Sequence, residues 1–136
     1  MRILIDDGAF PRYAPLLEAR GHTVFTIHQL FGDGIEDPDW LDAAVTHDFE
    51  LVITADKQIS GRPREAESFA GFLRNGGFVI FLKPGVFRLT ERDRSHLLRS
   101  NLDAICVRCA EREPGEFGQL DEQLILRLRP YSSPGA

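Results

Sequence analysis

Nothing in the 136 residues approaches the run of about 20 apolar residues that a helix needs to cross a bilayer. The layout of a signal peptide is also missing, because Met1-Arg2 leads straight into an apolar strand pattern. These absences predict a cytoplasmic protein with no membrane association. There is no internal repeat and no linker rich in proline, glycine or serine, so the chain reads as one domain over residues 1–130 with a frayed tail, 131–136. Cysteine is scarce, with only Cys106 and Cys109. A closed zinc site takes four ligands, and a single CxxC without a second pair or paired histidines supplies two. A redox CxxC opens a helix after a strand, whereas this one falls late in a helical pattern, so buried structural thiols are expected. Basic residues are sparse at the start: residues 1–60 hold Arg2, Arg12, Arg20 and Lys57 against eleven acids, whereas residues 61–136 hold twelve basic residues against ten acids. An acidic half suits cation binding. The cluster Arg88, Arg92, Arg94 and Arg99 suits phosphates, although a solvated helix face accounts for those arginines on their own.

With 43 % hydrophobic and 27 % charged residues, the chain can pack a core and is not of disordered composition. Residues 2–6 (RILID) suit a strand buried on both faces. Residues 11–20 read as a helix with Pro11 near its first turn, Pro15 disturbing it and Gly21 ending it. HTVFTI, 22–27, is a second strand, and 28–36 a glycine-containing loop. Asp37 is a natural helix cap, Pro38 suits the first helical position, and Trp40, Leu41, Ala44 and Val45 form an apolar face. ELVIT, 50–54, is the third strand. A helix over 64–75 turns Phe69, Phe72 and Leu73 inward, and Gly76 and Gly77 stop it. FVIFL, 78–82, is the fourth strand, and a long helix runs from Thr90 to Ala110. Leu124, Leu126 and Leu128 then alternate with Ile125, Arg127 and Arg129, as in a strand forming a hairpin with 117–120 across Asp121-Glu122. Alternating strands and helices predict an α/β fold with a mainly parallel sheet, right-handed crossovers and the hairpin at an edge.

Ligands of open parallel sheets bind beyond the carboxyl ends of the strands. Acidic side chains gather there: Asp6 and Asp7 after strand one, Asp56 after strand three, and Asp37 and Asp39 at the helix after strand two. Mg²⁺ takes oxygen ligands and keeps several waters. Paired ions of this kind position a water and stabilise the oxygens of an in-line phosphoryl displacement. Crowded carboxylates without a cation would repel. Some of these acids have ordinary explanations. Asp37 can be only a cap, Asp39 can complement the helix dipole, and Asp7 can be a turn residue ahead of Gly8. Asp6 and Asp56, each ending a buried strand, have fewer. Glu65 is the fourth candidate, ahead of Glu67, though acids are ordinary at helix starts. Thr54 can hydrogen-bond a metal-bound water or an aspartate, although threonine is ordinary in a strand. Lys57 suits a phosphate or offsets the acids. Arg62 and Arg64 suit substrate backbone, with solvent exposure explaining them nearly as well.

The segments LIDDGAFPRYAPLLEARGHTV and DPDWLDAAVTHDFELVITADKQI resemble PIN-like domains, nearest to the subgroup grouped with VapC-type toxins of toxin–antitoxin pairs. The likeness covers residues 2–87, with the helix 90–110 and the tail adding only length. It rests on an aspartate ending strand one, an ARGH turn into strand two, an Asp-x-x-Trp-Leu helix start and Thr-x-Asp-Lys at strand three. The resemblance implies a three-layer α/β/α nuclease fold, with a mainly parallel four-stranded sheet and a C-terminal edge strand or hairpin. It implies an endoribonuclease dependent on Mg²⁺ or Mn²⁺, in which a metal-activated water attacks the phosphodiester without a covalent intermediate. Asp6, Asp37 and Asp56 match the catalytic acids. Asp7 stands where many relatives carry a second acid, Asp39 competes with Asp37 within one turn, and the fourth acid does not align, with Glu65 the candidate. The metal set is thus Asp6, Asp7, Asp37, Asp39, Asp56 and Glu65, with Thr54, Lys57, Arg62 and Arg64 toward substrate. Gly8 replaces the Asn that relatives often have, which removes polar contacts at that corner. Implied partners are an RNA substrate, a cognate antitoxin protein and a second copy of the chain.

Two other functions fit parts of the sequence. A PIN-like module that binds or regulates without cutting is favoured by the net charge of −5 and the unaligned fourth acid. A phosphoacceptor receiver domain would use Asp56 as acceptor and Lys83 after strand four, but it requires a fifth β–α unit that the pattern lacks.

Overall fold

Strands follow the apolar runs. β1 (Arg2–Ile5), β3 (Leu51–Thr54) and β4 (Phe78–Leu82) carry apolar residues at consecutive positions, so each needs cover on both faces. β2 (Thr23–Thr26), β5 (Glu116–Leu120) and β6 (Leu126–Pro130) complete a six-stranded sheet in the order β2–β1–β3–β4–β5–β6. The computed structural model describes residues 1–6, 9, 11–32, 37–55, 63–113, 115–123 and 125–131, without the side chains of 11, 37 and 38. The hairpin sits at the sheet edge as expected, with β6 antiparallel to β5. Its first strand pairs in parallel with β4, however, so the parallel part has five strands rather than four. That strand is followed by β6 rather than by a helix, and the receiver-type β–α unit is not completed.

Helix starts follow local chemistry. α1 (Ala14–Glu18) is preceded by a 3₁₀ turn at Pro11–Tyr13. In a helix running from residue 11, the Pro15 ring would clash with the carbonyl four residues back, whereas at the second position of α1 it is tolerated. α2 (Ile27–Phe31) occupies part of the segment expected to be loop. Thr26 Oγ1 accepts from the Gln29 N–H at 3.1 Å, and Gln29 Oε1 accepts from the Thr26 N–H at 2.9 Å, a reciprocal cap that starts the helix. α3 (Asp37–Thr46), α4 (Pro63–Arg74) and α5 (Glu91–Ala110) lie close to their expected ranges. Thr90 caps α5 by accepting from the Asp93 N–H at 3.2 Å. Among the described residues no helix is long and apolar enough to cross a membrane.

The sheet divides two cores. On one face Ile3, Ile5, Leu51, Phe78, Ile80 and Leu82 meet Leu17 of α1 and Leu102, Ile105 and Cys109 of α5. On the other, Leu4, Val52, Val79 and Phe81 meet Trp40, Leu41 and Ala44 of α3 and Phe69, Phe72 and Leu73 of α4. The three-layer arrangement is therefore present. The expectation of uniformly right-handed crossovers fails at one step. The β3–α4–β4 and β4–α5–β5 connections advance in the same direction across the sheet, but their helices lie on opposite faces, so the two have opposite hands. The physical reason is cover: α1 is only five residues long, and without α5 the β3–β4 side of its face would meet water.

The hairpin is anchored by aromatics. Phe117 lies 5.7 Å from Phe81, and Tyr131 lies 4.6 Å from Phe69, ring centre to ring centre. Tyr131, assigned by composition to the frayed tail, is thus packed, and its N–H donates to the Gly115 carbonyl at 3.1 Å. Leu124 and residues 132–136 lie outside the described residues. Gly118 is where β5 is squeezed: a Cβ there would lie 2.7 Å from Leu126 Cδ1 and 3.0 Å from Phe78 Cζ. Gly118→Ala is expected to lower stability by about 1–3 kcal/mol in urea denaturation. Gly71→Ala, in α4 with no atom nearer than 3.7 Å to the added Cβ, should raise it by about 0.5–1 kcal/mol.

Candidate active site

β1 connects outward to β2, while β3, β4 and β5 step the other way. A crevice therefore opens at the carboxyl ends of β1 and β3, where the order reverses. Ile5 pairs with Ile53, which brings Asp6, the residue after β1, level with Thr54, the last residue of β3. The Asp6 N–H donates to the Ile53 carbonyl at 2.9 Å, and the Asp6 carbonyl accepts from the Ala9 N–H at 2.8 Å. Asp6 is half-buried and Thr54 fully buried. Thr54 Oγ1 donates to Asp6 Oδ2 at 2.8 Å. A hydroxyl on a carboxylate is a charge-assisted bond that fixes the orientation of the acid. It is also the kind of outer contact that orients a metal-binding carboxylate. This donor set, oxygen and negatively charged, suits a hard divalent cation.

The start of α3 and the start of α4 face the same rim. Arg64 Nη2 lies 3.0 Å from Asp39 Oδ1 and ties their first turns together. Both side chains are more than half exposed, so the pair contributes under about 1 kcal/mol. Its effect is on the site: Arg64, expected to face substrate, is held by Asp39, and the Asp39 carboxylate is shared with a cation of the chain itself. Glu65 is half-buried in the first turn of α4, whereas Glu67 is exposed. Asp7, Asp56, Lys57, Arg62 and the side chain of Asp37 lie outside the described residues. Among the described residues, no group of three or more His, Cys, Asp or Glu is gathered for a metal.

Two contacts at this rim join residues some 80 positions apart and gave no local signal in the sequence. Arg12 Nη1 lies 2.8 Å from Glu91 Oε1, and Ser95 Oγ donates to Tyr13 Oη at 3.2 Å. They dock the N-terminal turns of α5 against the segment that follows Asp6. An apolar cavity of about 70 Å³ lies elsewhere, between α5 and the sheet, lined by Ile3, Ile53, Ile80 and Leu102. It is below the roughly 150 Å³ that accommodates even benzene, and it is not where the acids lie.

The expectation of buried thiols holds for Cys109, whereas Cys106 is half-buried. Cys109 is buried, and burial first, then neighbouring Cys106, pushes its thiol up to about 12. Cys106 Sγ lies 3.4 Å from His22 Nε2. Burial, with Asp103 adding to it, raises the Cys106 pKa, and burial lowers that of His22. Both shifts favour a neutral thiol beside a neutral imidazole, the opposite of a reactive thiolate pair.

A family model described as a PIN-like domain matches residues 1–84. That span covers more than half of the chain and contains β1 to β4, the crevice and every candidate site residue. The chain therefore belongs to the PIN-like domain family. No curated protein and no solved structure matches it.

Thr54→Val removes the hydroxyl while keeping the shape, and should cost about 1.5–3 kcal/mol, the range for hydrogen bonds to charged groups. In a double-mutant cycle with Asp6→Ala, which removes the acceptor, urea denaturation should show coupling well beyond the roughly 0.3–0.5 kcal/mol of independent sites; additive effects would mean that the bond does not form in solution. For Cys109, a folded pKa above the unfolded value stabilises the fold fully below the unfolded pKa, and this stabilisation is lost as pH rises through the folded pKa. Stability should therefore fall between pH 9.0, the thiol's ordinary value, and about 12. Cys109→Val should flatten that decline, and an unchanged slope would refute the assignment.

Proposed function

We propose that the chain is an endoribonuclease dependent on Mg²⁺ or Mn²⁺, acting as the toxin of a toxin–antitoxin pair and restrained by a separately encoded antitoxin protein. The observation that carries this reading is the Thr54–Asp6 bond, an oriented carboxylate at the crevice of a PIN-like sheet. Membership of the family supports a nuclease-type hydrolase; the metal is inferred from the acidic residues, and the RNA substrate and toxin role from the resemblance to VapC-type toxins.

Asp6, Asp37 and Asp56 would hold the metal, with Asp7, Asp39 and Glu65 completing the acidic set. A bound divalent ion supplies a water of lowered pKa and offsets charge on the phosphoryl oxygens. The residues of the chain do the rest. Thr54 keeps the Asp6 carboxylate in one orientation. Lys57 and Arg62, on the segment after β3, meet the phosphodiester backbone. Arg64 reaches it by exchanging Asp39 for a phosphate, a low-cost exchange for so exposed a pair. No side chain is required as a covalent nucleophile.

A second reading is a PIN-like module that binds without cutting. The Asp39–Arg64 pair favours it, because a carboxylate engaged by a guanidinium is a poorer metal ligand, as does the net charge of −5. The two readings part on one assay. A mixed RNA pool incubated with Mg²⁺ or Mn²⁺ should be cleaved by the wild-type chain, and cleavage should fall by at least the roughly 10²-fold typical of losing a charge-stabilising group in Asp6→Asn and Asp56→Asn. Absence of cleavage by folded wild-type protein, with both metals and several RNA classes, would leave the binding module.

A further inference from the structure

The exposed side of α5 lies outside the residues matched to the family, and the acidic crevice makes no use of it. Arg92, His96 and Arg99 stand at i, i+4 and i+7 of this helix, so they share one face. All three are exposed, as is Arg88 at the end of the 3₁₀ turn that leads into it. Among the described residues, the side chains of Arg88, Arg92 and Arg99 take part in no hydrogen bond or ion pair, unlike those of Arg12, Arg20, Arg64 and Arg94. The next residue along the stripe is Asp103, which an i, i+4 pair with Arg99 would use up. Instead Arg20 Nε takes it at 2.6 Å. Glu91, the acid at the head of the helix, is likewise taken by Arg12. Glu91 and Asp103 are therefore engaged by Arg12 and Arg20, which flank α1 on either side, Asp93 is the remaining acid of the first turn, and Arg92 and Arg99 are left facing water.

The stripe starts at the rim that carries Asp6. The Arg12–Glu91 and Tyr13–Ser95 contacts hold the first turns of α5 beside the segment following β1. Phe87, 39 % exposed, stands next to Arg88 and offers an aromatic surface there. Guanidinium groups in a row beside an aromatic ring are the chemistry that tracks a single-stranded nucleic-acid backbone. We infer that Arg88, Arg92 and Arg99, with His96 between them, form a phosphate track that carries single-stranded RNA along the outer face of α5 to the carboxyl rim of the sheet. The inference rests on the ribonuclease reading for where the strand leads, and on the charge pattern alone for the binding.

The test measures binding of a fluorescein-labelled 12-nucleotide single-stranded RNA to the full chain by anisotropy, in EDTA so that no cleavage intervenes, over a range of KCl concentrations. Each arginine–phosphate pairing abolished on a single strand should reduce the slope of log K against log salt by about 0.7, so Arg92→Gln/Arg99→Gln should lower it by about 1.4. Arg74→Gln/Arg108→Gln changes the net charge equally, but those arginines sit in the last turns of α4 and α5, at the opposite end of the molecule. This pair should leave the slope unchanged, and Arg92→Lys/Arg99→Lys should retain it. Equal reductions in both glutamine pairs, no reduction in either, or no RNA binding by the wild type would overturn the track. Cleavage by the wild type in Mg²⁺ is scored separately. A track-specific fall in slope without cleavage would sink the ribonuclease reading alone, and cleavage with equal slopes would sink the track alone. Circular dichroism melting of each variant shows that the fold is intact, since the substituted arginines are exposed and unpaired.

Discussion

The constraint on which the rest of this structure depends is that its central strands are apolar on both faces. β1, β3 and β4 are four or five residues long, and almost every one of their side chains is buried. Such strands cannot face water on either side, so helices must arrive from above and below. α3 and α4 cover one face fully. The other receives only the single turn of α1 from the first half of the chain. α5 fills that gap by returning on the face that α4 does not use. An uncommon crossover hand is accepted at this step because the alternative is an exposed sheet: burying Leu102 and Ile105 alone contributes about 1.5–3 kcal/mol each.

What was legible in the sequence follows from what is local. Apolar runs gave the strands, and Gly76 and Gly77 marked the end of α4. Pro15 correctly signalled an irregular first turn. α2 was also written locally, as the Thr26-x-x-Gln29 capping spacing, but the nearby glycines are a competing loop signal. The fifth parallel strand was not legible. Alternation in the hairpin fixes its two faces but says nothing about which neighbour its first strand joins or in which direction. That choice is made by long-range packing, Phe117 on Phe81 and Tyr131 on Phe69.

The candidate site divides the same way. That Thr54 would reach an aspartate was readable, because both residues end strands in one parallel sheet, and the Ile5–Ile53 register completes the geometry. That Asp39 would be held by Arg64 was not, since it depends on how α3 packs against α4 across a gap of 25 residues. The same holds for Arg12 with Glu91 and Arg20 with Asp103. Each of these pairs is weak as an element of stability, being open to solvent on at least one side. Their importance is in deciding which charges remain available at the surface.

This bears on what the segment after residue 84 is for. By resemblance alone it adds only length to a PIN-like domain, and the packing shows otherwise. Without Leu102, Ile105 and Cys109 from α5 and Leu120 from β5, the face of the sheet carrying Ile3, Ile5, Ile80 and Leu82 would be open. The segment is therefore an integral part of the fold, and its inner face has little freedom to vary without loss of the core. Its outer face is under no such constraint. A charge pattern there, with Glu91 and Asp103 taken up by arginines from elsewhere and Arg92 and Arg99 left unpaired, is not required by packing. Solvation alone accounts for the arginines, whereas a reason in what the surface meets also accounts for where the acids are taken up. The electrostatics of the two halves fit one such reason: the matched part presents carboxylates at the crevice, and the added helix presents cations beside it. A polyanion passing over the crevice would be repelled by the first and held by the second.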